Sequence, residues 1–349
     1  MVQQERVRLA LLGAGPIGLR HLEILDSEVV CETVAVVDPS PAGAKVASKY
    51  DVAYYPDLSA MLDEIRPDGV INATPNKLHV PLSLTCLDRG IPVLVEKPVS
   101  DSLKDALDLA NASERHGVPV LVGHHRRFNP IVRKAREIVS SGELGHLTAI
   151  SATWLAHKPE DYFDVSWRSE SGGGPVMINL IHDIDSLRFI AGDIEAVQAM
   201  TSNARRGFQI EDTAAILFRF KGGALATIML SDTVASPWSW ELTSGERTSY
   251  TYPNTGQDCY LFAGTKGSLG VPTMTKWRHD GARSWQVAMS HDQVIVEAED
   301  PLQLQARHFA HVICGQEEPI TAARDAAKTL EVVVAIHDSA LSSSQIVLP

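Results

Sequence analysis

Lys97 and His182 are the two side chains whose types and settings best suit catalysis. Lys97 stands in Glu96-Lys97-Pro98, directly after the apolar run Pro92-Val-Leu-Val95. A lysine at the mouth of a buried strand is costly without a partner. An ammonium there can hold an alcohol oxygen and stabilise the negative charge that develops as hydride leaves the carbon, with Glu96 orienting it. The plain alternative is a surface ion pair after a strand. His182 lies in Gly172-Gly-Gly-Pro-Val-Met-Ile-Asn179-Leu-Ile-His182-Asp-Ile-Asp185, where Pro175 opens a predicted helix running to about Ile190. Asn179 and His182, three apart, share a helical face, and Asp185 follows three further on. An imidazole with an ordinary pKa of about 6.5 suits a general base near neutrality, while the alternative is a satisfied core histidine. The three glycines predict a backbone brought close to something.

Hydride chemistry needs a carrier, and the residues from Val7 to His21 predict a cradle for one. An apolar run breaks at Gly13 and resumes with helical spacing after Pro16, which reads as strand, tight turn and helix start. In Gly13-Ala-Gly15-Pro16-Ile17-Gly18 the first glycine permits the turn, Gly15 lets a pyrophosphate approach the backbone, and Gly18 lets helix pack on strand. The helix N-terminus offers N–H groups to the anion, and Pro16 removes none that the helix needs. A second apolar run, Cys31 to Val37, ends in Asp38, about 20 residues past the last glycine, where a dinucleotide fold places its ribose-binding carboxylate. An acid there repels a 2′-phosphate and favours NAD over NADP. The alternative is a cap for the helix after Pro39 and Pro41.

Two more strand tips carry polar residues. Thr74 and Asn76 in Ala73-Thr-Pro-Asn76, with His79, can hydrogen-bond ribose or amide groups, or simply form a proline-shaped turn with Asn76 as a helix cap. Gly123-His-His-Arg-Arg-Phe128 can line an anionic or polyhydroxylated ligand, or be a solvated basic turn. A metal site is not expected there, because adjacent histidines in an extended segment point to opposite faces.

The elements that must position these groups follow from periodicity. Strand and helix signals alternate up to Gly123, with strands at 52–55, 69–74, 92–96 and 119–123 and helices at 42–50, 57–65, 81–89 and 103–116, which predicts a parallel sheet covered by helices on both faces. Beyond it come helix 130–140, strand 147–155, the helix from Pro175, strands at 196–201, 213–220, 224–231, 240–243 and 260–263, others to about 296, and helices 301–314 and 322–340. This second pattern is α+β, a large open, mainly antiparallel sheet flanked by helices. The expected division is a dinucleotide-binding domain over 1–123 and a substrate-binding and oligomerisation domain over 124–319. The chain of 349 residues is 44% hydrophobic and 21% charged, enough for two self-sufficient cores. A net charge of −12 argues against nucleic acid or an anionic membrane as partner. Four cysteines without metal or disulfide spacing, no signal region and no membrane-length apolar run point to the cytoplasm.

At these residues the chain resembles the family named after glucose–fructose oxidoreductase, inositol dehydrogenase and rhizopine-catabolism proteins (Gfo/Idh/MocA). The resemblance runs nearly end to end, through GAGPIG, Asp38, ATPNKLH, VLVEKP, GHHRRFNP, Trp167-Arg168, GGGPV and HDID. It implies a Rossmann domain, and NAD-dependent oxidation or reduction of a CH–OH carbon in a sugar, polyol, sugar acid or related cyclic alcohol. It makes Lys97 the active-site lysine and His182 the proton acceptor. It also implies that the last helix, within about 320–349, packs back on the nucleotide domain, and that the open sheet forms a homodimer or homotetramer. An apolar sheet face without helices needs a partner surface in any case. Trp154, His157 and Lys158, ending the first strand of the second domain, are then placed to contact substrate, unless they are merely a polar strand end. Arg127 with Lys158 suits an acid sugar or a cyclic diol carboxylate. Many family members carry an Asp four residues before the histidine, where this chain has Ile178. Asn179 cannot take a proton, which leaves Asp183 or Asp185 to orient His182. The competing readings are a nucleotide-sensing regulator of the same fold without turnover, and a metal-assisted hydrolase using His124, His125 and His182.

Overall fold

The computed structural model describes residues 6–246 and 255–349. Its chain contacts divide it into one unit of residues 1–128 with 299–330 and a second of residues 129–298 with 331–349.

The first unit is a six-stranded parallel sheet in the order β3-β2-β1-β4-β5-β6. Its strands are β1 (Val7–Leu12), β2 (Cys31–Val37), β3 (Ala53–Tyr55), β4 (Gly69–Asn72), β5 (Val93–Val95) and β6 (Val120–Val122). The connecting helices are α1 (Pro16–Ser27), α2 (Pro41–Lys49), α3 (Leu58–Glu64), α4 (Asn76–Leu87) and α5 (Leu103–His116). Because β1 lies between β2 and β4, the strand order reverses beside it, and the crevice beyond the carboxyl ends of β1 and β4 is where such sheets take ligands. The Gly13 N–H donates to Val37 O (2.9 Å) and the Ala73 N–H to Leu12 O (2.8 Å), which pins both strand ends there. Leu9, Leu11, Val36, Ile71, Leu94 and Leu121 fill the core together with Leu302 and Phe309 of α9 (Pro301–Ile313). That corrects the expected boundary. Helix α9 belongs to the first unit, because its apolar stripe completes that core. The following helix α10 (Ala323–Ser342) is shared, with residues to Leu330 in the first unit and those from Glu331 in the second.

Helix α4 starts five residues before the expected position, and Pro81 lies inside it. Pro75, with φ −59°, presets the entry, and Pro81 sits on the exposed side, where water can satisfy the carbonyl its ring leaves unpaired.

The second unit holds a nine-stranded sheet in the order β14-β13-β12-β11-β7-β10-β9-β8-β15. The strands are β7 (Leu147–Leu155), β8 (Ile194–Ser202), β9 (Thr213–Phe220), β10 (Leu225–Ser231), β11 (Tyr260–Gly264), β12 (Gly267–Val271), β13 (Thr275–Arg278), β14 (Ser290–Gln293) and β15 (Ile346–Val347). Pairing is antiparallel except between β7 and β10. Helices α6 (Pro130–Ser140) and α7 (Ile181–Ala191) pack together, with the Arg136 guanidinium 4.1 Å from the centre of the Phe189 ring. Strands β9 and β10 alternate buried and exposed residues, so one sheet face is core. Met200, Leu217, Leu225, Met229 and Leu261 are exposed. The edge strand β15 was not expected from sequence. The segment 240–243, expected as a strand, is the short helix α8 (Trp240–Thr243). Thr243 closes that turn twice on Ser239 O, through its N–H at 3.0 Å and its hydroxyl at 2.8 Å. Trp240 is buried, stacked on Tyr260 at 5.8 Å, and donates to Glu246, whereas Trp238 is largely exposed.

Candidate active site

In the first unit the turn after β1 has the shape a phosphate cradle needs. Gly13 has φ +89°, a conformation costly for residues with a Cβ. A Cβ on Gly18 would stand 2.0 Å from the Gly13 carbonyl oxygen, so only glycine lets α1 start so close to the strand. A Cβ on Gly15 would meet nothing within 4 Å, so the backbone at the head of α1 is bare. Pro16 is the first helical residue and Ile17 packs half-buried against the core. Asp38 borders the cradle. One of its carboxylate oxygens accepts the Ala14 N–H and the other the Ser40 N–H, each at 2.8 Å. Partial burial raises its pKa, but these hydrogen bonds with Ser40 and Ala14 outweigh that and hold it below the usual range. Asp38 is therefore an anion at neutral pH. Through Ser40 it also braces the turn into α2. A dinucleotide fits these residues: bare backbone for the pyrophosphate, a carboxylate where the ribose would lie.

At the tip of β4, Thr74 donates its hydroxyl to Asn72 Oδ1 at 2.6 Å, and Asn72 Nδ2 donates to His79 O and to Ser83 Oγ. Asn72, which the sequence reading passed over, builds this corner. Asn76, at the first position of α4, is half-buried. His79 is buried, with Nδ1 2.8 Å from Pro98 O and Nε2 2.8 Å from Thr74 O. That corrects its expected part in cofactor binding: both ring nitrogens face backbone carbonyls, so His79 ties the 74 turn to the 98 turn.

The Lys97–Pro98 peptide is cis. Glu96 is buried, its Oε1 lies 2.8 Å from His21 Nε2 on α1, and its Oε2 accepts the Lys97 N–H. Burial raises the Glu96 pKa, but the hydrogen bond and charge of His21, with the charges of His125 and Lys97, drive it well below the carboxylate range. The surface-pair reading of Glu96 fails on this burial. Lys97 itself is half-buried. His124, His125, Arg126 and Arg127 are all buried, so this segment is no solvated turn. Arg127 forms an ion pair with Asp325 and donates to Ile320 O at 3.1 Å. These contacts correct the expectation of an anion-recognising Arg127, since the guanidinium joins the 3-10 turn after β6 to the start of α10.

In the second unit the glycine run packs against protein. Gly172 has φ +90°, a Cβ on Gly173 would stand 2.2 Å from Trp167 O, and one on Gly174 would stand 2.5 Å from Glu211 Oε1. Residues Val176–Leu180 then form a π-helical turn that runs into α7. Such turns are rare and cluster at functional sites. Asn179 lies in that turn, half-buried, and His182 is buried in the first turn of α7. The Ser186 hydroxyl donates to His182 O at 2.9 Å. The Asp183 carboxylate accepts the Tyr260 hydroxyl, so Asp183 ties α7 to the sheet. Asp185, two residues on in α7, is buried too.

At the end of β7 the structure brings Trp154 and Lys158 together and leaves His157 exposed. Lys158 Nζ is buried 3.5 Å from Asp232 Oδ2, 4.9 Å from the centre of the Tyr162 ring and 5.6 Å from that of Trp154. Burial lowers its pKa to about 8, against the opposing pull of Asp232. Trp154 donates its indole N–H to Glu241 at 3.0 Å. Tyr162 and Arg206, which also binds Asp232 at 3.0 Å, complete this cluster. Their residue types carried no signal, because they come from separate loops. Among the described residues no three His, Cys, Asp or Glu side chains are grouped to hold a metal ion.

Family models match both halves of the chain: residues 7–124 an oxidoreductase family with an NAD-binding Rossmann fold, and residues 132–270 the GFO/IDH/MocA C-terminal domain. The inositol 2-dehydrogenase of Rubrobacter xylanophilus is 32% identical over 260 residues, 71% of this chain and 72% of that protein. The rhizopine catabolism protein MocA of Rhizobium meliloti is 31% identical over 188 residues, 54% of this chain and 58% of that protein. The WlbA dehydrogenase of Bordetella pertussis, solved with NADH and UDP-GlcNAcA, shares the fold at a TM-score of 0.78 and 22% identity over 99% of both chains. The matches on both halves, with the glycine cradle, the Lys97 strand end and the His182 helix, place this chain in the GFO/IDH/MocA family of oxidoreductases.

Proposed function

We propose that the protein is an NAD-preferring dehydrogenase that moves a hydride between nicotinamide and a CH–OH or C=O carbon of a sugar, polyol, sugar acid or related cyclic alcohol. The observation that carries this reading is the bare Gly13–Gly18 cradle bordered by the ionised Asp38. The relatives named for inositol oxidation support the substrate class. Gly13, Gly15, Pro16, Ile17 and Gly18 would hold the pyrophosphate and Asp38 the ribose, with Thr74, Asn76 and Lys97 lining the nicotinamide half. The nicotinamide supplies the hydride acceptor or donor. His182 takes the hydroxyl proton as general base, and Lys97 stabilises negative charge growing on a substrate oxygen. Glu96, kept ionised and fixed by His21, anchors the turn that presents Lys97. Asn179 and Lys158 contact substrate hydroxyls or a carboxylate, with Trp154 walling the Lys158 cluster.

The exposed apolar row on the second unit's sheet supports a homodimer or homotetramer closed through that face. No helix among the described residues is long and apolar enough to cross a membrane, which is compatible with a cytoplasmic enzyme.

The test is NADH formation across a panel of sugars, inositols, sugar acids and cyclic diol carboxylates, with Lys97→Ala alongside. Turnover at least a hundredfold lower in the variant is the expected result. NAD binding without turnover on any member would favour the nucleotide-sensing regulator. Asp38→Ala is expected to raise the preference for NADP relative to NAD about tenfold, since one anion facing the 2′-phosphate is removed. An unchanged ratio of the two kcat/KM values would sink the coenzyme assignment.

A further inference from the structure

The second unit holds one buried carboxylate aimed at the backbone that leads into His182. Glu211 stands in Ile210-Glu-Asp-Thr213, just ahead of β9, and its side chain is only 8% exposed. Its Oε1 accepts the Val176 N–H at 2.9 Å, and its Oε2 lies 3.5 Å from His337 Nε2 on α10. The absent Cβ of Gly174 is what leaves room for Oε1. Burial raises the pKa of Glu211, but the His337 hydrogen bond and charge, with the Val176 N–H, outweigh it and keep it ionised. An anion at the first N–H of a helical segment has favourable electrostatics as well as a hydrogen bond.

Val176 is the first residue of the π-helical turn that carries Asn179 and passes directly into the first turn of α7. Moving that peptide moves the helix entry, and with it the His182 ring. We propose that Glu211 is a positioning residue for His182: held by His337, it clamps the Val176 peptide and fixes the π turn. The proposal rests on His182 being the proton acceptor.

The test compares Glu211→Ala, Glu211→Gln and His337→Ala in the full-length protein. Amide hydrogen exchange across 174–185 and the ¹⁵N-imidazole signal of His182, assigned by its loss in His182→Gln, are read first. In Glu211→Ala, exchange over 176–182 is expected to rise at least tenfold and the His182 signal to move. Glu211→Gln keeps an oxygen acceptor in the same volume and is expected to stay within threefold of wild type, with His337→Ala between. With the substrate found above, kcat in Glu211→Ala is expected to fall at least tenfold and KM to stay within threefold, with Glu211→Gln recovering most of kcat. Wild-type exchange and an unmoved His182 signal in Glu211→Ala would overturn the clamp, as would altered exchange with unchanged kcat. Should Glu211→Ala not fold, unaltered exchange over 176–182 in His337→Ala overturns it. Exchange and ring signal do not depend on turnover, so an inactive wild type counts against the proposed function and leaves the clamp to these reads.

Discussion

His182→Ala is expected to lower kcat by about 10²–10⁴-fold, the range a positioned general base contributes, while KM changes far less. The ring is buried at the first turn of α7, and the π-helical turn before it is a costly local geometry to keep for packing alone. Among the neighbours of His182, Asp183 is tied to Tyr260 and position 178 is Ile, so neither stands in for it. Steady-state kinetics at several pH values, with thermal melting to show that the variant folds, make the comparison. A folded variant with kcat within threefold of wild type would remove His182 from the chemistry and reopen the regulator reading.

Substitution in the glycine cradle is expected to separate folding from binding. Gly18→Ala drives a methyl group to 2.0 Å from the Gly13 carbonyl oxygen, which is backbone and cannot rotate away. Overpacking of this kind costs about 1–3 kcal/mol, so a fall in Tm of roughly 2–12 °C is expected together with loss of NAD binding. Gly15→Ala is the contrast. Its φ is −72° and its methyl group meets no protein atom within 4 Å, so Tm should hold within about 1 °C. NAD affinity should nevertheless fall about tenfold or more, because the methyl group fills the space kept for the pyrophosphate. Melting curves and NAD titration of the two variants decide it. Wild-type NAD affinity in Gly15→Ala would mean that the turn is an ordinary strand-to-helix connection.

Several elements were legible in the sequence because their causes are local. Helices α5 and α6 and strands β7 and β9 begin and end where capping residues and apolar periodicity place them. The Gly13–Gly18 turn is written into six adjacent residues, and the parallel sheet into the alternation of strand and helix signals up to Gly123. Tertiary structure decided what depends on partners far along the chain. The glycines at 173 and 174 make room for Trp167 and Glu211, and Glu211 lies 35 residues from the Val176 peptide it holds. His79 and Arg127 are of types that bind ligands, yet His79 faces the 74 and 98 turns and Arg127 bonds Asp325 and Ile320, all in their own unit. Helix α9 joins the first core, although 170 residues of another unit precede it in sequence, because its apolar stripe fits against α1 and β2. Periodicity reports that a face will be buried. Which surface buries it is settled only when the chain closes on itself, and the roles of Glu211, His79 and Arg127 are set at that step.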